Sequence, residues 1–385
     1  MQYVQYGKTD MKVSRLGLGG MRFPEDRQET IDIIRYAIDH GINYVDTAYV
    51  YVSSEELYGE ALKGGYRDKV FIATKSPSWI IESTKDYEAF LDEELRRLGT
   101  DYVDVYLLHN QFPRHWQKSL KFDAFGFLDK MVQKGKIRYK GFSLHDNRPA
   151  FEEIVKAYDW DMAQLQINIL DTETQVGLDG FKWGAQQGLA MVAMEPLRGG
   201  FIVHDKPAAV DQIIADYPEK RSLVEWCMRW LYDMPEVTCV LSGPKTLEQL
   251  KGNLHIFDAA ESSCMSATDQ ELIARIVQAY EDQNVVACSA CGYCLPCPNG
   301  VDIPQVFKLY NDYTRHGKSI NEGQFYRERL MPDGRAGDQC TACGHCVPLC
   351  TQGLDIPALI AAAHEDMGTR HVDRDVVRVD LSRPA

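Results

Sequence analysis

Asp46-Thr47-Ala48-Tyr49-Val50-Tyr51, preceded by Gly41-Ile42-Asn43-Tyr44-Val45, is the stretch on which the fold turns. Residues 41–45 read as a short buried strand: apolar, opened by a glycine and β-branched at its end. The strand delivers a carboxylate at its C-terminal end and a tyrosine shortly after. Val70-Phe71-Ile72-Ala73-Thr74 runs into Lys75 in the same way, and Val103-Asp104-Val105-Tyr106-Leu107-Leu108 runs into His109. Three successive strands each end on an ionisable side chain. In a barrel of alternating strands and helices, that rim is where chemistry is placed. Taken singly, a Tyr after a strand is ordinary packing, and a lone Lys or His is a surface residue. In this order, on consecutive strand ends, they form a constellation.

The rest of the chain up to about residue 260 repeats the alternation. Residues 3–14 read as a hairpin, with Gly7-Lys8-Thr9-Asp10 as its turn, suited to closing the bottom of a barrel. Residues 16–20 are the first barrel strand. Their glycines imitate the dinucleotide pattern G-x-G-x-x-G, but residue 22 is Arg and no acid follows at the right place, so that reading is set aside. Helical spacing covers 29–40, stopping at Gly41. Ser53 or Ser54 caps a helix through 62, and Ser83 or Thr84 caps one through 98. Residues 119–134 read as a single helix. Strands at 137–144, 162–167, 189–194 and 237–241 alternate with helices at 148–158, 180–187, 222–232 and 247–257. This predicts a (β/α)8 barrel over 1–260, of the TIM type. A helical linker (261–286), a small, mostly α cysteine-rich domain (287–363) and a polar tail (364–385), poorly ordered or draped on the surface, follow.

The formal net charge of −14 argues against nucleic acid or an anionic membrane as partner. The N-terminus lacks the apolar core of a signal peptide, and no long apolar run occurs, which predicts a cytoplasmic protein with no membrane partner. Of 11 cysteines, Cys227, Cys239 and Cys264 are scattered and the rest form two tight clusters. Clustered cysteines in a long chain without a leader predict a metal protein in a reducing compartment.

The order Asp46, Tyr51, Lys75, His109 resembles the catalytic tetrad of the aldo-keto reductases, through D-T-A-Y-V-Y, I-A-T-K and L-L-H-N. The resemblance implies NADP or NAD as cofactor and a small carbonyl or alcohol as substrate. Reducing a carbonyl needs a hydride at carbon and a proton at oxygen. A free Tyr, with a pKa of about 10, holds its proton at neutral pH. On this reading Lys75 lowers that pKa, Asp46 holds the ammonium, and His109 orients the substrate oxygen. Tyr49 competes with Tyr51 as the acid; the family's spacing favours Tyr51.

The likeness extends to the later strand ends. Gly141-Phe142-Ser143 and Gln164 resemble the pair that binds the nicotinamide amide, although Leu144-His145 stands where an Asn is usual. Met194 takes the place of a stacking aromatic, and Leu197, Arg198 and Gly199 would lie along the pyrophosphate, Arg198 supplying charge. Gly243 and Lys245 open the last barrel helix, a ready phosphate site. There Lys245 sits where the family places a cation for the 2′-phosphate, and Gln249 and Asn253 share a helical face that could reach the adenine. An ordinary Gly-Pro turn is the plainer alternative for that segment.

Cys288-x-x-Cys291-x-x-Cys294-x-x-Cys297 and Cys340-x-x-Cys343-x-x-Cys346-x-x-x-Cys350 have iron–sulfur spacing. Zinc is the alternative, although zinc sites use pairs of cysteines rather than two runs of four. The segments after each run, Gly300-Val301-Asp302-Ile303-Pro304 and Gly353-Leu354-Asp355-Ile356-Pro357, echo one another. The whole resembles a two-cluster 4Fe-4S ferredoxin domain. It departs from that pattern in the shorter gap before Cys297 and in the Thr after Cys350. The spacing assigns Cys288, Cys291, Cys294 and Cys350 to one cluster, and Cys340, Cys343, Cys346 and Cys297 to the other. A helical insert over 306–316 fits between the runs.

The leading expectation is an NAD(P)H-dependent carbonyl reductase with an electron-transfer module and a redox partner protein. The alternatives are a redox relay passing single electrons to a partner or second cofactor, and a non-catalytic barrel with structural or sensory clusters. Hydride and single-electron chemistry couple only through an intermediary such as a flavin, and no flavin motif is present. Trp79, Phe112 and Trp116 suggest an aromatic-lined substrate pocket.

Overall fold

The computed structural model describes residues 1–369 apart from 259, 289, 316, 317 and 319, and apart from the side chain of residue 320. Two compact units emerge, one of residues 1–205 and 212–274, the other of 206–211 and 275 onward.

The first unit begins with a hairpin, β1 (Tyr3–Gln5) and β2 (Lys12–Ser14). Eight strands follow: β3 (Leu16–Gly19), β4 (Tyr44–Asp46), β5 (Phe71–Ser76), β6 (Val103–Leu108), β7 (Ile137–Leu144), β8 (Met162–Gln166), β9 (Ala190–Met194) and β10 (Val237–Ser242). They pair in parallel in sequence order, and β10 closes on β3. The (β/α)8 barrel predicted from the alternation is the observed fold. Successive side chains on each strand point alternately to the barrel interior and to the helices. Tyr44, Ala73, Val105, Leu107, Met162, Ala190 and Val192 fill the interior together with Tyr6, Met11 and Val13 of the hairpin. The hydroxyls of Tyr6 and Tyr44 meet at 2.9 Å, satisfying two phenols inside an apolar plug.

The helices around the barrel are α1 (Arg27–Asp39), α2 (Ser54–Ala61), α3 (Thr84–Leu98), α4 (Pro113–Lys121), α5 (Ala124–Gln133), α6 (Arg148–Ala157), α7 (Gly177–Gln186), α8 (Phe201–His204), α9 (Ala208–Ala215), α10 (Leu223–Asp233) and α11 (Leu247–Phe257). Two local readings are corrected. The single helix expected over 119–134 is broken between α4 and α5, because Asp123 takes a left-handed φ of 52° and its carboxylate accepts from Gly126 N at 3.1 Å. Its start was also missed: Pro113 opens α4, where its fixed φ suits a first helical turn. Ser53 makes no capping bond, and the Ser54 hydroxyl is used by Thr47 at 2.8 Å.

Helix α12 (Ala267–Glu281) leads into the second unit, which holds α13 (Ile303–Arg315), α14 (Ile320–Phe325) and α15 (Ile356–Gly368). Val306, Phe307 and Tyr313 of α13 pack with Ile360, Ala363 and Met367 of α15 in its core. Helix α15 runs into the expected polar tail as far as Gly368; the part of the tail from 370 lies outside the described residues. No helix among the described residues is long and apolar enough to cross a membrane.

Candidate active site

Strand period places Asp46 and Lys75 on the barrel interior at adjacent strand ends. The Lys75 ammonium donates to Asp46 Oδ1 and Oδ2, both at 2.7 Å, and to Thr47 O at 2.6 Å. These contacts account for its three protons. Lys75 is fully buried and Asp46 nearly so. Burial pushes the carboxyl up and the ammonium down, while each partner's charge pulls the other back toward ionisation. Removing one member of such a pair strands a buried charge, at a cost of about 3–5 kcal/mol.

The Lys75 Nζ also lies 5.0 Å from the centroid of the Tyr51 ring. Tyr51 and His109 meet edge to face, with ring centroids 5.9 Å apart and planes at 85°. Asp46, Lys75, Tyr51 and His109 thus lie together at the C-terminal rim. Tyr49 does not join them: its ring packs edge-on against Phe90 at 4.7 Å and under the Arg97 guanidinium at 4.3 Å.

One electrostatic expectation is reversed. Lys75 does not bring the Tyr51 phenol below its ordinary value; burial, and then the negative charge of Asp46 and Glu195, push it well above, with Arg22 pulling it back. The ammonium's protons are committed to Asp46 and Thr47, so its influence on Tyr51 is that of a charge near the ring. Burial, and then the charge of Lys75, hold His109 well below the usual imidazole range, so His109 is neutral at neutral pH. Its Nδ1 is buried without a hydrogen-bond partner.

Arg22 and Glu195 were missed as site residues. They pair at 3.2 Å, one following β3 and the other β9. Arg22 was weighed only against the glycine pattern; its place just beyond a barrel strand was the usable signal. Glu195 and Arg198 hold left-handed φ values of 56° and 49°, and Gly199 follows at 66°. The Arg198 guanidinium pairs with the buried Asp171 at 3.4 Å. Asp171 also accepts from Gln166 at 2.8 Å and Asn168 at 2.6 Å, so it ties the ends of β8 and β9 together. Leu197 is half-buried beside them.

Ser143 and Gln164 sit side by side across the β7–β8 pairing, both buried. Ser143 Oγ accepts from Asn110 N at 2.9 Å and keeps its own proton to donate. Gln164 Nε2 reaches Met194 Sδ at 3.8 Å, and its Oε1 is buried with no hydrogen-bond partner. A buried acceptor and a nearby hydroxyl fit a ligand carboxamide.

Gly243 and Lys245 are exposed ahead of α11. Gln249 and Asn253 each use one amide atom within the chain. Gln249 Oε1 accepts from Lys245 N at 2.8 Å, and Asn253 Nδ2 donates to Ser242 Oγ at 2.8 Å, so both hold the helix start in place. Of the three aromatics expected in a substrate pocket, only Trp79 meets the tetrad, 5.2 Å from His109. Phe112 and Trp116 are buried, and the Trp116 indole donates to Glu153 at 2.8 Å.

Behind the rim, Thr74 faces the helices and donates to Glu55 at 2.7 Å. Burial pushes Glu55 up to about 7 and raises its neighbour Glu94 well above the carboxylate range.

In the second unit the eight clustered cysteines surround two small hollows. Cys288, Cys291, Cys294 and Cys350 line one; Cys297, Cys340, Cys343 and Cys346 line the other. The two halves follow the same backbone path: Ala290 and Ala342 have φ of 52° and 54°, Gly292 and Gly344 76° and 74°. Asp302 and Asp355 each cap the helix that follows, accepting from Gln305 N at 3.4 Å and Ala358 N at 3.3 Å. Ile303 and Ile356 line both hollows. Among the described residues no three His, Cys, Asp or Glu side chains converge as a single ion would require. Four thiols around each hollow are the donor set that a 4Fe-4S cluster takes.

Known proteins give the same two-part division. The model of the Aldo/keto reductase family matches residues 15–270, and that of a 4Fe-4S dicluster domain matches residues 287–354. The uncharacterized oxidoreductase YqkF of Bacillus subtilis is 26% identical over 323 residues, which are 74% of this chain and 98% of YqkF. Methylglyoxal reductase YeaE of Escherichia coli is 28% identical over 66% of this chain and 89% of its own length. The solved holo form of aldo-keto reductase AKR11C1 from Bacillus halodurans superposes with a TM-score of 0.62 at 25% identity, covering 72% of this chain and 97% of that one. With its closed parallel barrel, the chain belongs to the aldo/keto reductase family of oxidoreductases, and its sequence continues past the barrel into a 4Fe-4S dicluster domain.

Proposed function

We propose that the barrel reduces an aldehyde or ketone to an alcohol with NADPH or NADH, and runs the reverse oxidation. The observation that carries this is the cluster of Asp46, Lys75, Tyr51 and His109 at the rim, each in contact with the next. A bound nicotinamide supplies the hydride, and with it both electrons. Ser143 and Gln164 hold its carboxamide, the hydroxyl donating and the orphaned Oε1 accepting. Leu197 and Gly199 border the pyrophosphate, where glycine's positive φ brings backbone close. Gly243 and Lys245 meet the outer phosphate ahead of α11.

Tyr51 gives its hydroxyl proton to the carbonyl oxygen as the hydride reaches carbon, so oxygen and carbon each gain one hydrogen. Its raised pKa keeps that proton in place until the oxygen becomes basic. Lys75, fixed by Asp46, stabilises negative charge arising at the phenol. His109 is neutral and donates a hydrogen bond to the same substrate oxygen. Trp79 packs beside His109, the rings 5.2 Å apart and tilted by 54°.

In the second unit Cys288, Cys291, Cys294 and Cys350 would hold one 4Fe-4S cluster and Cys297, Cys340, Cys343 and Cys346 another, the halves exchanging their fourth ligands. Such clusters would supply single-electron chemistry, exchanged with a redox partner that both donates and accepts the electrons.

The test is NADPH oxidation by anaerobically prepared protein with a panel of aldehydes and ketones, starting from methylglyoxal, the substrate in the name of one relative. Absence of turnover with every carbonyl in either direction would remove this reading. Lys245→Ala should weaken NADPH binding more than NADH binding, measured by fluorescence titration. Equal losses would show that Lys245 does not meet a 2′-phosphate.

Acidity supplies a further check. His109 loses its proton below its ordinary 6.5, and Tyr51 keeps its own above 10.0. Between these values both stay in their working forms, so kcat/KM for reduction should be flat. A break inside that window would mean that a group other than these two controls the rate.

A further inference from the structure

The two hollows are alike in ligands but not in what touches the sulfurs. Cys291 and Cys343, the middle cysteine of each C-x-x-C-x-x-C turn, are the two exposed members of the eight. Each meets a polar side chain from the other half of the domain. Thr351 Oγ1 lies 3.7 Å from Cys291 Sγ. Asn299 Nδ2 lies 3.9 Å from Cys343 Sγ and donates to Thr341 Oγ1 at 2.9 Å, which fixes the direction of the amide. A ligating sulfur has lost its proton, so in both pairs the hydroxyl or amide must be the donor. Thr351 follows Cys350 in the chain, and Asn299 stands just beyond Cys297. The segment that supplies a hollow's fourth cysteine therefore also supplies a donor to its exposed one.

Hydrogen bonds to the sulfurs and solvent exposure are two of the levers that set a cluster's reduction potential. They act most where a sulfur is otherwise open to water. We infer that Thr351 and Asn299 set the potentials of the two clusters separately, Thr351 that of the Cys288 cluster and Asn299 that of the Cys340 cluster. The inference rests on the two-cluster reading above. Each donor stabilises the reduced, more negative cluster, so its loss lowers the potential of that cluster alone. The chemistry differs between the two positions, a hydroxyl in one and an amide in the other, so the clusters need not share one potential. Thr351 and Asn299 are positioning residues for the ligand sulfurs; neither is itself a ligand.

The experiment uses the full chain, reconstituted anaerobically, with iron and sulfide counted first. That count tests the two-cluster reading by itself. Low-temperature EPR during a potentiometric titration then follows native protein, Thr351→Val, Asn299→Leu and the double variant. Thr351→Val should move one midpoint downward and Asn299→Leu the other, and the double variant should show both shifts. Full iron with unmoved midpoints, or both midpoints moving together in each single variant, would overturn the inference while leaving the clusters in place. Should Thr351→Val fail to keep its iron, Thr351→Ser and Thr351→Ala decide. A native-like Ser variant beside an Ala variant that departs, in midpoint or in iron content, supports a role for the hydroxyl. Like behaviour of the two overturns it.

Discussion

Tyr51→Phe is expected to lower the rate of carbonyl reduction by roughly 10²–10⁴-fold, the usual worth of a general acid, while NADPH binding stays within a few-fold. The substitution removes one oxygen and keeps the ring. The edge-to-face contact with His109 at 5.9 Å and the Lys75 charge 5.0 Å from the ring centre both involve the ring, so packing at the rim is preserved. What disappears is the proton donor. Steady-state kinetics and a cofactor fluorescence titration on the same preparation separate the two effects. Tyr49→Phe is the matched control. Tyr49 packs against Phe90 and Arg97, away from the tetrad, and its loss of a hydroxyl should leave turnover near native. Near-full activity in Tyr51→Phe would remove it from the mechanism.

The second large effect belongs to the cysteine domain. Cys350→Ala should cost about half of the iron, and the lost cluster should be the one built on Cys288, Cys291 and Cys294, far away in sequence. The hollow lined by those three is completed by Cys350, whereas the near neighbours Cys340, Cys343 and Cys346 line the other with Cys297. A cluster deprived of one of four thiolates exposes an iron to solvent and is readily lost or converted, while the other keeps its full ligand set. Iron and sulfide counts with EPR of the reduced protein read this out. Loss of the Cys340 cluster alone, or bound zinc with no sulfide, would sink the assignment.

The barrel was legible because strand alternation fixes much at once. Once 41–45, 70–74 and 103–108 are strands, period two sends Asp46 and Lys75 to the interior, and the parallel register brings them within 2.7 Å. The cysteine runs were legible for a similar reason, since short spacings leave little room for alternatives. Long, flexible side chains were not. Gln249 and Asn253 share a helical face as expected, but spacing cannot say whether an amide meets a ligand or folds back on its own helix start, and here both fold back. Arg198 likewise found Asp171, a partner beyond the end of a different strand. Arg22 escaped notice because it pairs with Glu195, distant in sequence, through tertiary contact alone. The break at Asp123 was hidden because a left-handed aspartate costs little and leaves no mark on the apolar spacing around it.

The exchanged fourth cysteine has a consequence for biogenesis. The ribosome delivers Cys288, Cys291, Cys294 and Cys297 well ahead of the second run, yet these four line different hollows. A nascent chain that has reached only the first run holds three ligands for one centre and one for the other. Neither set of four is complete until Cys346 has emerged, and the one begun by Cys288 waits for Cys350, so on the two-cluster reading iron–sulfur delivery awaits nearly the whole polypeptide. A message that terminates between the two runs would yield a barrel with no complete ligand set, never a half-loaded protein.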